Sequence, residues 1–139
     1  MSSIQHMVKE HAITTAQSIA TAGKVFRLPD DTKGLLAYVL FVDGGGGTTI
    51  DVFIQTSFDN ETTWIDIMHF DFLVTAGTRI MKVREETAIV ADVTPTDGTG
   101  PADGTAISGI IGDHVRARIV TTGTYTATTT IDVWLRIED

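Results

Sequence analysis

The chain has 139 residues, 42% of them hydrophobic, and a formal net charge of −8, which fits one domain with a sizeable core and excludes global disorder. Eighteen acidic residues outnumber 10 basic ones, and the basic residues form no stripe that would neutralise successive phosphates, which argues against nucleic-acid binding. Cysteine is absent, so neither disulfides nor thiolate metal sites stabilise the fold.

The residue types specify the kind of core. Thr, Ile and Val occur 23, 15 and 12 times against 6 Leu; branching at Cβ restricts χ1 in helices and suits a pleated surface. Residues 1–10 are polar and mixed, and read as an N-terminal arm ahead of a domain covering 11–139. They lack the basic stretch and apolar core of a signal peptide, and no run reaches the roughly 18 apolar residues that span a bilayer. A soluble chain made in the cytoplasm is expected. His11 to Ala20 reads as a first strand.

Gly34 to Asp43 is almost continuously apolar, the pattern of a strand covered on both faces or of an equally short buried helix, and its β-rich end favours the strand. Gly44 to Gly47 breaks it as a flexible hairpin tip; no Lys and no following helix accompany these glycines, so they do not form a phosphate loop. Thr48 to Ser57 alternates, with Ile50, Val52 and Ile54 on one face and Asp51, Phe53 and Gln55 on the other. After a turn, Trp64 to Phe72 completes a hairpin with it. Arg79 to Arg84 and Thr87 to Val93 are shorter predicted strands. Thr94 to Ala106, rich in Thr, Pro, Asp and Gly, is the longest predicted loop. Val115, Ala117 and Ile119 define one further strand, and Ile131, Val133, Leu135 and Ile137 another, with a hairpin turn expected at Gly123-Thr124. The sum is an all-β, antiparallel two-sheet sandwich of about eight strands, with a jelly roll as one form of it.

No catalytic constellation emerges. There is no Gly-x-Ser-x-Gly elbow, and no thiol nucleophile exists. His6, His11, His69 and His114 are scattered, without metal-ligand spacing. Asp97-Gly98-Thr99 and Asp103-Gly104-Thr105 lack the ladder of a calcium loop and read as tight turns. Asp51, Asp66 and Asp71 lie on adjacent predicted strands, where carboxylates on a solvated face are the simpler reading than an acid–base pair. No cofactor or metal is expected.

Ser57-Phe-Asp-Asn-Glu-Thr-Thr-Trp64 resembles the Asp-box hairpin, Ser-x-Asp-x-Gly-x-Thr-Trp. The resemblance implies a structural turn in which Asp59 accepts turn amides and Trp64 packs over the strands, with Ser57 and Thr63 at the matching positions. Glu61 stands where that motif has Gly. One copy in a chain this short does not make a sialidase-like propeller.

Three longer segments are similar to small virion proteins of tailed bacteriophages, most of all head decoration or cement proteins. They are Thr49 to Trp64 (Thr-Ile-Asp-Val-Phe-Ile-Gln-Thr-Ser-Phe-Asp-Asn-Glu-Thr-Thr-Trp), Ile111 to Arg118 (Ile-Gly-Asp-His-Val-Arg-Ala-Arg) and Gly123 to Val133 (Gly-Thr-Tyr-Thr-Ala-Thr-Thr-Thr-Ile-Asp-Val). The resemblance implies a β-sandwich that docks in many copies on the major capsid protein at the head surface of the virion, often as a trimer. On that reading the arm, through Met1, Ile4, His6 and Met7, and the loop, through Thr96, Asp97, Pro101 and Asp103, are candidate partner contacts, together with an exposed Trp134. Two further readings are a carbohydrate-binding fibre module with Trp64, Trp134 and Tyr125, or Tyr38, as stacking residues, and a head-to-tail connector or tail component.

Overall fold

The computed structural model describes residues 3–14, 16–19, 24–72, 76–126 and 128–139. These contain nine strands and no helix: β1 (Ser3–Ala12), β2 (Gln17–Ile19), β3 (Phe26–Arg27), β4 (Gly34–Val42), β5 (Thr49–Ser57), β6 (Ile65–Asp71), β7 (Gly77–Arg84), β8 (His114–Thr122) and β9 (Thr130–Glu138). The first sheet has the order β1-β9-β4-β7, and the second β2-β8-β5-β6. The two-residue β3 pairs with the start of β8 while β2 pairs with its end, so β2 and β3 share one edge position and each sheet is four positions wide. Every pairing is antiparallel.

Nested pairing defines the topology. The first and last strands pair, β2 and β3 pair with β8, β4 pairs with β7, and β5 pairs with β6 at the centre. A long two-stranded ribbon folded back on itself and wrapped into two sheets gives this order, which is a jelly roll.

Period-two alternation aims the core. Leu35, Ala37, Val39 and Phe41 on β4 and Ile131, Val133, Leu135 and Ile137 on β9 meet Ile50, Val52 and Ile54 on β5 and Val115, Ala117 and Ile119 on β8, all buried. Phe41 and Phe72 close the interior edge to face, with ring centroids 5.5 Å apart.

Several expectations are corrected. Residues 3–10 are not an arm but most of β1, and Met7 and Val8 are both buried in the core. Register shifts between His6 and Val8 and between Val8 and His11 turn two successive side chains inward, which breaks the alternation that marks a strand in sequence. The first strand therefore ends at Ala12 and does not begin at His11. Thr87 to Val93 forms no strand and leaves Ile89 and Val90 exposed. The turns at 44–47 and 123–124 are not hairpins, because β4 and β9 lie in the first sheet and β5 and β8 in the second. They are crossovers that pack on each other at one end of the sandwich, where Gly47 N donates to Thr124 O at 2.7 Å and Thr126 N to Gly45 O at 3.0 Å. Gly47 has φ 75° there, and a Cβ on it would fall within the Tyr125 ring, so only glycine fits.

Candidate functional site

The two outer faces of the sandwich have opposite fates. On the second sheet, Asp51, Phe53 and Gln55 of β5 point outward beside Asp71, His69 and Asp66 of β6, and beside Val120, Arg118 and Arg116 of β8. The connection from β7 to β8 folds over this face. Asp66, 1% exposed, is one anchor: its carboxylate accepts from Gln55 Nε2 (2.7 Å), Thr96 Oγ1 (2.8 Å) and the amides of Gly98, Thr99 and Gly100 (2.8, 3.1 and 3.3 Å). A Cβ on Gly98 would press on the Arg118 side chain and one on Gly100 on the Thr96 hydroxyl. Asp97 then faces back to the sheet, accepting from Gln55 Nε2 at 2.6 Å and Arg118 Nη1 at 3.2 Å.

His69 is the second anchor. Nε2 lies 2.7 Å from Asp51 Oδ1, Nδ1 lies 2.8 Å from the Pro101 carbonyl, and Asp103 Oδ1 stands 3.5 Å from Nδ1. The ring stacks on Phe53, 4.2 Å between centroids. Burial alone would lower the His69 pKa, but the Asp51 hydrogen bond, the Pro101 carbonyl and the Asp51 and Asp103 charges outweigh it, and the net direction is upward. Asp51 is also raised, chiefly by burial, with His69 opposing and Asp71 and Asp103 adding. Donor atoms of Asp51, His69 and Asp103 all lie within 4.8 Å of one another. The imidazole nevertheless stands between the carboxylates, one at each nitrogen, and a single ion takes only one nitrogen of a histidine. The arrangement suits a hydrogen-bonded clamp.

The outer face of the first sheet is uncovered by any described residue. One cross-strand row reads His6, Trp134, Tyr38, Ile80, and the next Ile4, Arg136, Leu36, Lys82. His6 stacks on the Trp134 indole, 4.3 Å between centroids and 6° between planes, and its Nε2 bonds Asp132 Oδ1 at 2.9 Å. Tyr38 meets the indole edge to face, 5.4 Å between centroids and 78° between planes. Ile4, Leu36, Tyr38, Trp134, Arg136 and Glu138 line an open groove of about 460 Å³. Arg136 is exposed and has no ion-pair or hydrogen-bond partner among the described residues.

In the β5–β6 turn, Asp59 Oδ1 accepts from Thr63 N (2.7 Å) and Ser57 Oγ (3.0 Å), and Ser57 Oγ accepts from Glu61 N (3.0 Å). The Thr63 bonds hold the Asp59 carboxyl below its ordinary pKa. Trp64 is buried beneath the Arg116 guanidinium, 4.1 Å above its ring.

The candidate contacts divide accordingly. Ile4, His6 and Trp134 share the open face, and Met1 lies outside the described residues. Met7 is in the core and is unavailable to a partner. Thr96, Asp97 and Pro101 point their polar groups at their own sheet, while Asp103 keeps an exposed carboxylate. Asp66 is not on a solvated face but buried under the loop. Trp64 and Tyr125 are buried far from Trp134, Tyr125 donating its hydroxyl to the Thr49 and Thr122 carbonyls, so the three rings form no common platform. The alternation of β9 already places Asp132 and Arg136 on the face of Trp134, whereas sequence reasoning missed Ile80 and Leu36 there; the one signal was the apolar outer row of β4. The chain matches no protein-family model, no curated protein and no solved structure.

Proposed function

We propose that this protein is a non-catalytic virion component that decorates or cements a bacteriophage head, docking in many copies on the major capsid protein through the outer face of its first sheet. One observation carries the reading. β4 is apolar on both sides, Leu35, Ala37, Val39 and Phe41 facing the core and Leu36, Tyr38, Leu40 and Val42 facing out, yet among the described residues only the inner side is covered. A strand of that composition belongs between two layers, and a contiguous apolar face left open on a sandwich marks an interaction surface.

Charge favours a different protein as the cover over a second copy. The chain is at −8 overall, but on this face Lys82 is paired to Glu138 at 3.0 Å, Arg84 to Glu86 at 2.8 Å and Asp132 is held by His6, which leaves Arg136 as a cation with no partner among the described residues. An apolar surface with carboxylates complements it, whereas free copies repel one another. Many weak contacts on a lattice add through effective concentration, and trimers at symmetry axes fit this mode of docking. Sugar stacking is less suited to the face, because His6 already occupies one side of the indole.

The test is to purify virions and count copies of this chain against the shell subunit, for wild type and for the double variant Tyr38→Ser/Ile80→Ser. Stoichiometric occupancy is expected for wild type, and at least a roughly tenfold loss for the variant with its urea midpoint unchanged. A ring-sized copy number would move the protein to the connector, glycan capture by the isolated chain would make it a fibre module, and equal occupancy of the variant would remove this face from the contact.

A further inference from the structure

We propose that His69 is a proton-dependent latch, which holds residues 101–107 against the second sheet while both ring nitrogens carry protons and loosens them when one proton leaves. Each ring nitrogen faces an acceptor oxygen. The Pro101 carbonyl near Nδ1 can only accept, and so can the ionised Asp51 carboxylate near Nε2. A neutral imidazole has one N–H and one lone pair. Whichever tautomer it adopts, one of the two short contacts, 2.8 or 2.7 Å, becomes an oxygen facing a lone pair. Only the imidazolium satisfies both.

The surroundings favour that cation. Asp51 comes from β5, Asp71 from β6 directly across from Asp51, and Asp103 from the covering segment. Arg118 from β8 stands in the same cross-strand row as Phe53 and is drawn toward Asp97. The carboxylates attract a proton to the ring and outweigh the loss of water from the face stacked on Phe53.

The mechanical consequence lies in which backbone bonds sit beside the ring. His69 N donates to Thr105 O (3.0 Å), Gly104 N to His69 O (3.0 Å) and Ile107 N to Ile67 O (2.8 Å), so this half of the segment extends the second sheet past β6. The other half, 96–100, hangs on Asp66 and needs no histidine proton. One half of the cover is therefore switchable and the other is fixed. The sign follows from the upward displacement of the His69 pKa. Its contribution is complete below the ordinary value of 6.5 and is lost as pH rises through the higher folded-state value.

The test is a nitrogen-detected titration of the whole chain from about pH 5 to about pH 10, spanning the ordinary histidine range. It follows the His69 ring nitrogens together with hydrogen-exchange protection, corrected for the intrinsic pH dependence of exchange. The ring midpoint should lie above the ordinary 6.5, with both ring nitrogens protonated below it. Protection of the His69, Gly104 and Ile107 amides should fall about tenfold as the ring titrates, the fold-change matching loss of one charge-assisted hydrogen bond, while the Gly98 amide stays unchanged. Asp51→Asn should move the midpoint to lower pH, and His69→Phe should give low protection at every pH. If His69→Phe fails to fold, wild type and Asp51→Asn decide the matter alone. A singly protonated ring near pH 6, or protection that ignores the ring's titration, overturns the latch.

Discussion

Replacing Asp66 by alanine should cost this protein a large part of its stability, although the residue lies outside the hydrophobic core. The carboxylate is 1% exposed and gathers five donors: the Gln55 amide, the Thr96 hydroxyl and the amides of Gly98, Thr99 and Gly100. Stranding all of them at about 1–3 kcal/mol each would overstate the loss, because the three loop amides rehydrate once the loop lifts. Gln55 retains Asp97 as a second acceptor. The remaining cost is release of the cover and re-exposure of what it buries, near the lower end of the ~3–5 kcal/mol for breaking a buried charge network. With a urea slope of about 1.5 kcal/mol/M, a loss of ~3 kcal/mol lowers the midpoint by about 2 M. Asp66→Asn retains one acceptor oxygen but turns an N–H₂ toward donors, and should fall between. Equilibrium urea unfolding followed by β circular dichroism measures both. A midpoint for Asp66→Ala within about 0.3 M of wild type, at unchanged slope, would refute the claim that this carboxylate anchors the cover.

Two further predictions concern the β5–β6 turn. Glu61 has φ 69°, a conformation that disfavours side chains by about 1 kcal/mol, so Glu61→Gly should raise the thermal midpoint by a few degrees in calorimetry. Asp59 has a folded-state pKa below the ordinary 3.8, so its contribution is present above that value and lost as pH falls through the lower folded one. Melting temperatures followed downward from about pH 5 should drop in wild type, and Asp59→Asn should show a shallower drop over the same range.

The core was legible because β-sheet geometry writes itself into local sequence. Ile50, Val52 and Ile54, or Ile131 through Ile137, alternate in strict period two, and a sandwich buries one face of such a strand. The 57–64 turn was legible for a related reason: its bonds run between residues two to four apart, so they depend on nothing distant. β1 was not, because bulges around Val8 turn Met7 and Val8 inward together and hide the alternation. The crossovers at 44–47 and 123–124 were misread as hairpins, since a glycine-rich turn has the same local chemistry whether the next strand pairs with the last or moves to the other sheet.

The candidate sites divide along the same line. The clamp joins residues 18 and 32 positions apart, His69 with Asp51 and Pro101, and the aromatic row joins His6 to Trp134 across the chain. No spacing rule connects such positions.

Sequence by itself determined the class: β-branched composition, alternation and turn residues act over a few neighbours and leave an antiparallel sandwich as the outcome. Only the tertiary structure decided which outer face is sealed and which is open. That depends on the 94–107 segment finding Asp66 and His69 on the second sheet, and on its finding no such anchors on the first. Pairings between distant residues fix that choice, and they exist only once the strands have been brought side by side.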